Sequence, residues 1–99
     1  MQSYYAASFD RQMGCTEAEW LSWLPGAVRE HALTLGVREA TVVVGSGHLL
    51  LCWQVLAPLQ IALVRLPMLG VKFRFDSVEE APRQRFMRSF DLYMQRGGG

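Results

Sequence analysis

The chain has 99 residues, 51% of them hydrophobic and 19% charged, with ten basic and nine acidic side chains leaving a formal net charge of +1. A length near 100 residues bounds it to one domain with room for one sheet and two or three helices. The apolar content excludes a disordered chain, and the near-neutral balance excludes a polyanion binder that works through bulk charge.

Taken in chain order, Tyr4 to Phe9 alternates weakly and reads as a first strand, with Tyr5, Ala7 and Phe9 on one face. Thr16-Glu17-Ala18-Glu19 is a capping box, and the helix it opens carries Trp20, Leu21, Trp23 and Leu24 at helical spacing. Pro25-Gly26 is expected to stop or kink that helix. Residues 27–37 fit a helical period and a strand alternation equally well; a short helical continuation or an irregular segment is expected.

Four strands with short turns then predict an antiparallel meander. Thr41 to Val44 is β-branched, Gly45-Ser46-Gly47 supplies a hairpin turn, and His48 to Leu56 returns. Ala57-Pro58 reads as the next turn, Ile61 to Leu66 as a strand, and Pro67-Met68-Leu69-Gly70 as a third turn. Val71 to Phe75 alternates, with Lys72 and Arg74 outward. A final helix is expected from Pro82, placed near its first position, to about Gln95. Phe86, Phe90, Tyr93 and Met94 form its apolar stripe. The fold class predicted is α+β: a two-layer sandwich with an antiparallel sheet of about five strands and both helices on one face. One domain spans 1–96, followed by a flexible glycine tail at 97–99. Trp20, Leu24, Phe73, Phe75, Phe86 and Phe90 are the expected centre of the core.

Two cysteines, Cys15 and Cys52, are too few for a disulfide-dependent secreted fold. The start Met1-Gln2-Ser3-Tyr4-Tyr5 shows no basic stretch followed by an apolar one. Both observations point to a cytoplasmic protein. The uncharged run from Leu49 to Val64 is sixteen residues long. A spanning helix needs about 20, and Pro58 interrupts this run, so it reads as strands and no membrane is expected.

No catalytic, metal or cofactor pattern is legible. Cys15 precedes a helix N-terminus, where a thiolate is favoured, yet it can equally pack on Trp20 as a staple. Cys52 lies among Leu49, Leu50, Leu51 and Trp53, as a buried small side chain would. His31 and His48 have no second ligand at metal-binding spacing. Gly45-Ser46-Gly47 lacks the third glycine and the following helix of a phosphate loop. Asp10 and Asp91 read as isolated carboxylates.

Two surfaces stand out instead. Residues 1–50 carry a net charge of −2 and residues 51–99 a net of +3. Lys72 and Arg74 on a strand, with Arg85, Arg88 and Arg96 on the last helix, are the candidate contacts for RNA or DNA. The second surface follows from parity. Leu50, Cys52, Gln54 and Leu56 point away from the face that packs under the helices, and three of the four are apolar, unlike a solvated sheet face. A homodimer contact through that face, centred away from Lys72 and Arg74, is the first reading: a self-associating accessory module. Nucleic-acid binding is the alternative, together with an apolar ligand held between the last helix and the sheet.

Overall fold

The capping box forms as its spacing dictates. In the computed structural model, which describes residues 4–97, the Thr16 side chain accepts from the Glu19 amide at 3.1 Å and the Glu19 carboxylate accepts from the Thr16 amide at 2.9 Å. Residues 1–3, and the part of the expected glycine tail beyond Gly97, lie outside the described residues. The elements run β1 (Ser8–Met13), α1 (Glu17–Val28), β2 (Leu33–Gly36), β3 (Glu39–Val44), β4 (Gly47–Ile61), β5 (Val64–Asp76) and α2 (Glu80–Gln95). All pairings are antiparallel, in the sheet order β1-β5-β4-β3-β2. The fold is the expected α+β sandwich, an open five-strand sheet with two helices.

Both helices lie on the face carrying Val42, Leu51, Val71 and Phe73, and aromatic edges fill the space between the layers. Phe90 on α2 meets Trp20 on α1 edge-on at 6.1 Å and Phe73 on β5 at 5.7 Å, and Trp20 in turn meets Trp53 on β4 at 5.7 Å. Five of the six residues expected at the centre of the core are buried; Phe75 is half-buried at its margin, packed on Phe86. The Trp53 indole donates to Glu17 at 2.7 Å, which ties the start of α1 to β4.

Several boundaries differ from the sequence reading, each for a physical reason. The first strand starts at Ser8, because the backbone of Tyr5 is already paired elsewhere: its amide donates to the Gln84 side chain at 2.8 Å and its carbonyl accepts from Gln84 at 2.7 Å and Arg83 at 3.0 Å. Helix α1 runs through Pro25-Gly26 to Val28. Pro25 is exposed, so the hydrogen bond it forgoes faces solvent. Gly26 makes room for α2, since a Cβ there would run into the Tyr93 ring. Residues 33–36 form a strand, β2, on the edge of the sheet, where pairing with β3 decides between two equal periodicities. Helix α2 starts at Glu80, two residues before Pro82; a proline in the first turn gives up an amide that has no helical partner.

The largest difference lies in the meander. The expected turns at Ala57-Pro58 and at 67–70 are absent, and the expected strand at 61–66 contains the real turn, Ala62-Leu63. β4 and β5 therefore form one long hairpin. Fifteen residues of strand span about 50 Å at ~3.3 Å per residue, which matches the longest dimension of the molecule, 46 Å.

Candidate functional site

The distal part of the β4–β5 hairpin is an arm that the rest of the fold leaves bare: residues 57–66 are exposed throughout. Its register explains which side chains share a face. Leu56 pairs with Met68 and Leu59 with Leu66, so Ala57 and Pro58 oppose the single residue Pro67 in a β-bulge. A bulge suits Pro58, which has no amide to give to the ladder. It also shifts the parity of β4 by one residue. Leu59 and Ile61, which regular alternation would place on the helix side with Leu49, Leu51 and Trp53, now join Leu56 on the outward face. The result is three stacked apolar cross-strand pairs on that face: Leu56–Met68, Leu59–Leu66 and Ile61–Val64. The opposite face of the arm carries Gln60 paired with Arg65.

At the tip, Ala62 holds a positive φ of 53°, a conformation that favours glycine, and Leu63 is 98% exposed. At the base, the outward face is hollow. Gly70 sits between Gln12 on β1 and Gln54 on β4 and puts no side chain there. A cavity of about 590 Å³ occupies this position, lined by Asp10, Gln12, Cys52, Gln54, Leu56 and Lys72.

Closer to the centre of the sheet the same face is polar and internally neutralised. Asp10 lies across from Lys72 in the register, Arg74 donates to the Ser8 hydroxyl at 2.5 Å and lies 3.7 Å from Asp10, and His48 is 3.6 Å from Asp76. Of the four residues expected at a protein contact, Leu56 belongs to the apolar stripe, Cys52 and Gln54 line the hollow, and Leu50 lies between Arg74 and Thr41 in the polar region. The basic residues are divided between two layers. Lys72 and Arg74 face outward from the sheet, whereas Arg85, Arg88 and Arg96 are exposed on α2 on its other side. No single surface contains all five.

Asp91 is not isolated. Arg11 donates to both of its oxygens, at 2.6 and 3.0 Å, and the Tyr5 hydroxyl donates to it at 2.6 Å. The Arg11 guanidinium also lies 5.2 Å from the centre of the Phe9 ring and 5.3 Å from that of Phe73. This network clasps β1 and the segment before it to α2. Burial, reinforced by the hydrogen bond to Asp91 and its charge, pushes the Tyr5 hydroxyl up to about 12. A folded-state value raised above the ordinary 10 means that the fold holds this proton more tightly than the unfolded chain does. The stabilisation is complete below pH 10 and is lost as pH rises from 10 through 12. Urea midpoints measured across that window should fall, and Tyr5→Phe should flatten the part of the slope that the phenol supplies.

Cys15 is buried, and burial, followed by the nearby Glu19 carboxylate, raises its thiol rather than activating it. A second cavity of about 360 Å³ lies between the end of α1 and α2, lined by Arg29, Glu30, His31, Arg85 and Ser89 among others. There Glu30 offsets the arginines, and His31 Nδ1 donates to the Val43 carbonyl at 2.8 Å. Among the described residues, no three His, Cys, Asp or Glu side chains gather as a metal site, and no helix is long and apolar enough to cross a membrane. No family model, curated protein or solved structure matches the chain.

Proposed function

We propose that the protein is a self-associating interaction module whose contact is the outward face of the β4–β5 arm, and that the partner seated on it is a second copy of the chain. The observation that carries this reading is the bulge at Ala57-Pro58, which gathers Leu56, Leu59, Ile61, Val64, Leu66 and Met68 on one uncharged face. Monomeric proteins rarely expose contiguous apolar patches beyond a few hundred Å². Leu59, Leu66, Ile61 and Val64 are 47%, 39%, 54% and 55% exposed on this face, an apolar surface that nothing else in the fold covers. A face without charge offers no complementarity to a charged partner, and a net charge of +1 gives two copies little mutual repulsion. Twofold pairing of one face with itself is also the commonest way for a soluble protein to assemble.

Nucleic-acid binding draws less support, because its candidate residues lie on opposite layers and Lys72 and Arg74 sit beside Asp10. The space between α2 and the sheet, where an apolar ligand would sit, is occupied by the rings of Trp20, Phe73 and Phe90.

The double variant Leu59→Glu, Val64→Glu tests the reading. Both positions lie outside the core, so the unfolding free energy of the dilute monomer should change by no more than an ordinary surface effect of about 0.5 kcal/mol. In sedimentation at a concentration where the native chain is a dimer, the variant should be a monomer. A folded variant that remains dimeric would place the contact elsewhere.

A further inference from the structure

The helical layer carries a second site that does not depend on the arm, and the backbone at the end of α1 marks it. The chain leaves that helix through a tight turn, closed by the His31 amide donating to the Val28 carbonyl at 3.1 Å. Arg29 is the second residue of the turn, with φ 55° and ψ −126°. That is the place glycine ordinarily fills in a type II′ turn. An arginine there is strained, and residues held under backbone strain cluster at binding sites.

Arg29 lines the cavity of about 360 Å³ between the end of α1 and α2, and so does Arg85. Among the described residues, neither side chain forms an ion pair or a hydrogen bond. Glu30, the one acid in the lining, pairs with neither and leaves the cavity a net charge of +1. Ser89 also lines it, and the Ser89 hydroxyl is buried without a hydrogen-bond partner, an arrangement that calls for an acceptor. The end of α1 does not close the cavity to anions, since the Gly26 and Val28 carbonyls are taken by the amides of Arg29 and His31. The His31 ring, held by Val43 and standing edge-on to Phe86 at 5.1 Å, acts as a wall. The rest of the lining is largely apolar, with Val44, Pro82 and Phe86.

We infer that this cavity binds a small organic monocarboxylate. The carboxylate takes the guanidinium groups of Arg29 and Arg85 and the Ser89 hydroxyl, which turns about its Cα–Cβ bond to meet it. The apolar body of the ligand lies against Pro82 and Phe86. Guanidinium forks match a planar carboxylate. A monoanion neutralises the net charge of the cavity, whereas a phosphate monoester would bring further negative charge up to Glu30.

Benzoate and hexanoate are the probes, titrated into the full chain and followed by amide NMR shifts. At least one should bind with a dissociation constant of about 1 mM or tighter, a range open to very small ligands. The shifts should centre on residues 27–31 and 85–89. Benzamide, which lacks the charge, and acetate, which lacks the apolar body, should bind about tenfold more weakly or worse. Arg29→Gly is the decisive variant: glycine should relieve the turn and raise the unfolding midpoint, yet weaken binding about tenfold or more. Arg85→Gln should weaken binding as much with the midpoint unchanged, and Ser89→Ala should weaken it without loss of stability. Failure of both probes to shift these amides would overturn the site, as would binding that survives Arg29→Gly and Arg85→Gln. Tighter binding of phenyl phosphate than of benzoate would overturn the monocarboxylate as its ligand. None of these results bears on the arm, which the solution mass tests separately.

Discussion

Asp91→Ala is expected to cost the fold about 3–5 kcal/mol, the loss that follows when one member of a largely buried ion pair is removed. Asp91 is buried, and its carboxylate is the shared acceptor for the Arg11 guanidinium and the Tyr5 hydroxyl. Without it, Arg11 is left a positive charge beneath the rings of Phe9 and Phe73, and Tyr5 loses its acceptor at a position with no solvent access. Domains of this size are stable by roughly 5–15 kcal/mol in total, so the variant should be marginal or unfolded at 37 °C. Chemical denaturation of Asp91→Ala, Arg11→Met and the double variant separates the pair from its parts. The double variant should recover stability relative to Asp91→Ala, because a methionine brings no charge into the largely buried position that Arg11 holds. A loss below about 1 kcal/mol for Asp91→Ala would show that the clasp between β1 and α2 contributes little.

Phe90→Ala is expected to cost a comparable 3–5 kcal/mol through the cavity it opens. Phe90 is fully buried and meets Trp20, Phe73 and Phe86, which come from α1, β5 and α2 itself. Trp20 and Phe73 meet the ring edge-on and Phe86 stacks on it, and three flat rings fixed on separate backbone positions cannot all close on a methyl group, so the cavity persists. Phe90→Leu refills part of the volume and should return at least half of the loss in a urea titration. A loss for Phe90→Ala in the range of a surface substitution would mean that the layers do not meet at this ring.

What the sequence made legible was local or periodic. Thr16 and Glu19 are three residues apart and decide the start of α1 by themselves. The spacing of Phe86 and Phe90 decides which side of α2 is buried, and the alternation from Val71 to Phe75 decides which face of β5 meets it. Tertiary partners were not legible. Arg11 and Asp91 are eighty residues apart in the chain, as are nearly the pair Tyr5 and Gln84, and nothing near either residue announces the other. Pro58 and Pro67 carry the signal of turn residues, the ordinary meaning of proline between apolar runs. The bulge absorbs both, because Pro58 needs no ladder bond there and Pro67 stands opposite the residue that has left the ladder.

The candidate contact was half visible for the same reason. The surplus of apolar residues in 49–66 marked an apolar sheet face, and the charges of Lys72 and Arg74 marked the part of that face which is polar. Strict alternation carried forward from Leu50 and Leu56 would have placed Leu59 and Ile61 on the wrong face. Only the one-residue parity shift at the bulge puts them beside Leu56, and that shift is a property of the pairing with β5. No pattern within β4 contains it. The tip was hidden by the same misplacement of the turn, since a strand read through 61–66 leaves Leu63 in its middle.

The measurement that bears most directly on self-association through the arm is light scattering of the native chain over a hundredfold dilution. A dimer mass that gives way to the monomer mass on dilution is expected, with the Leu59→Glu, Val64→Glu variant monomeric at every point of the series. A native chain that scatters as a monomer at every concentration would contradict it.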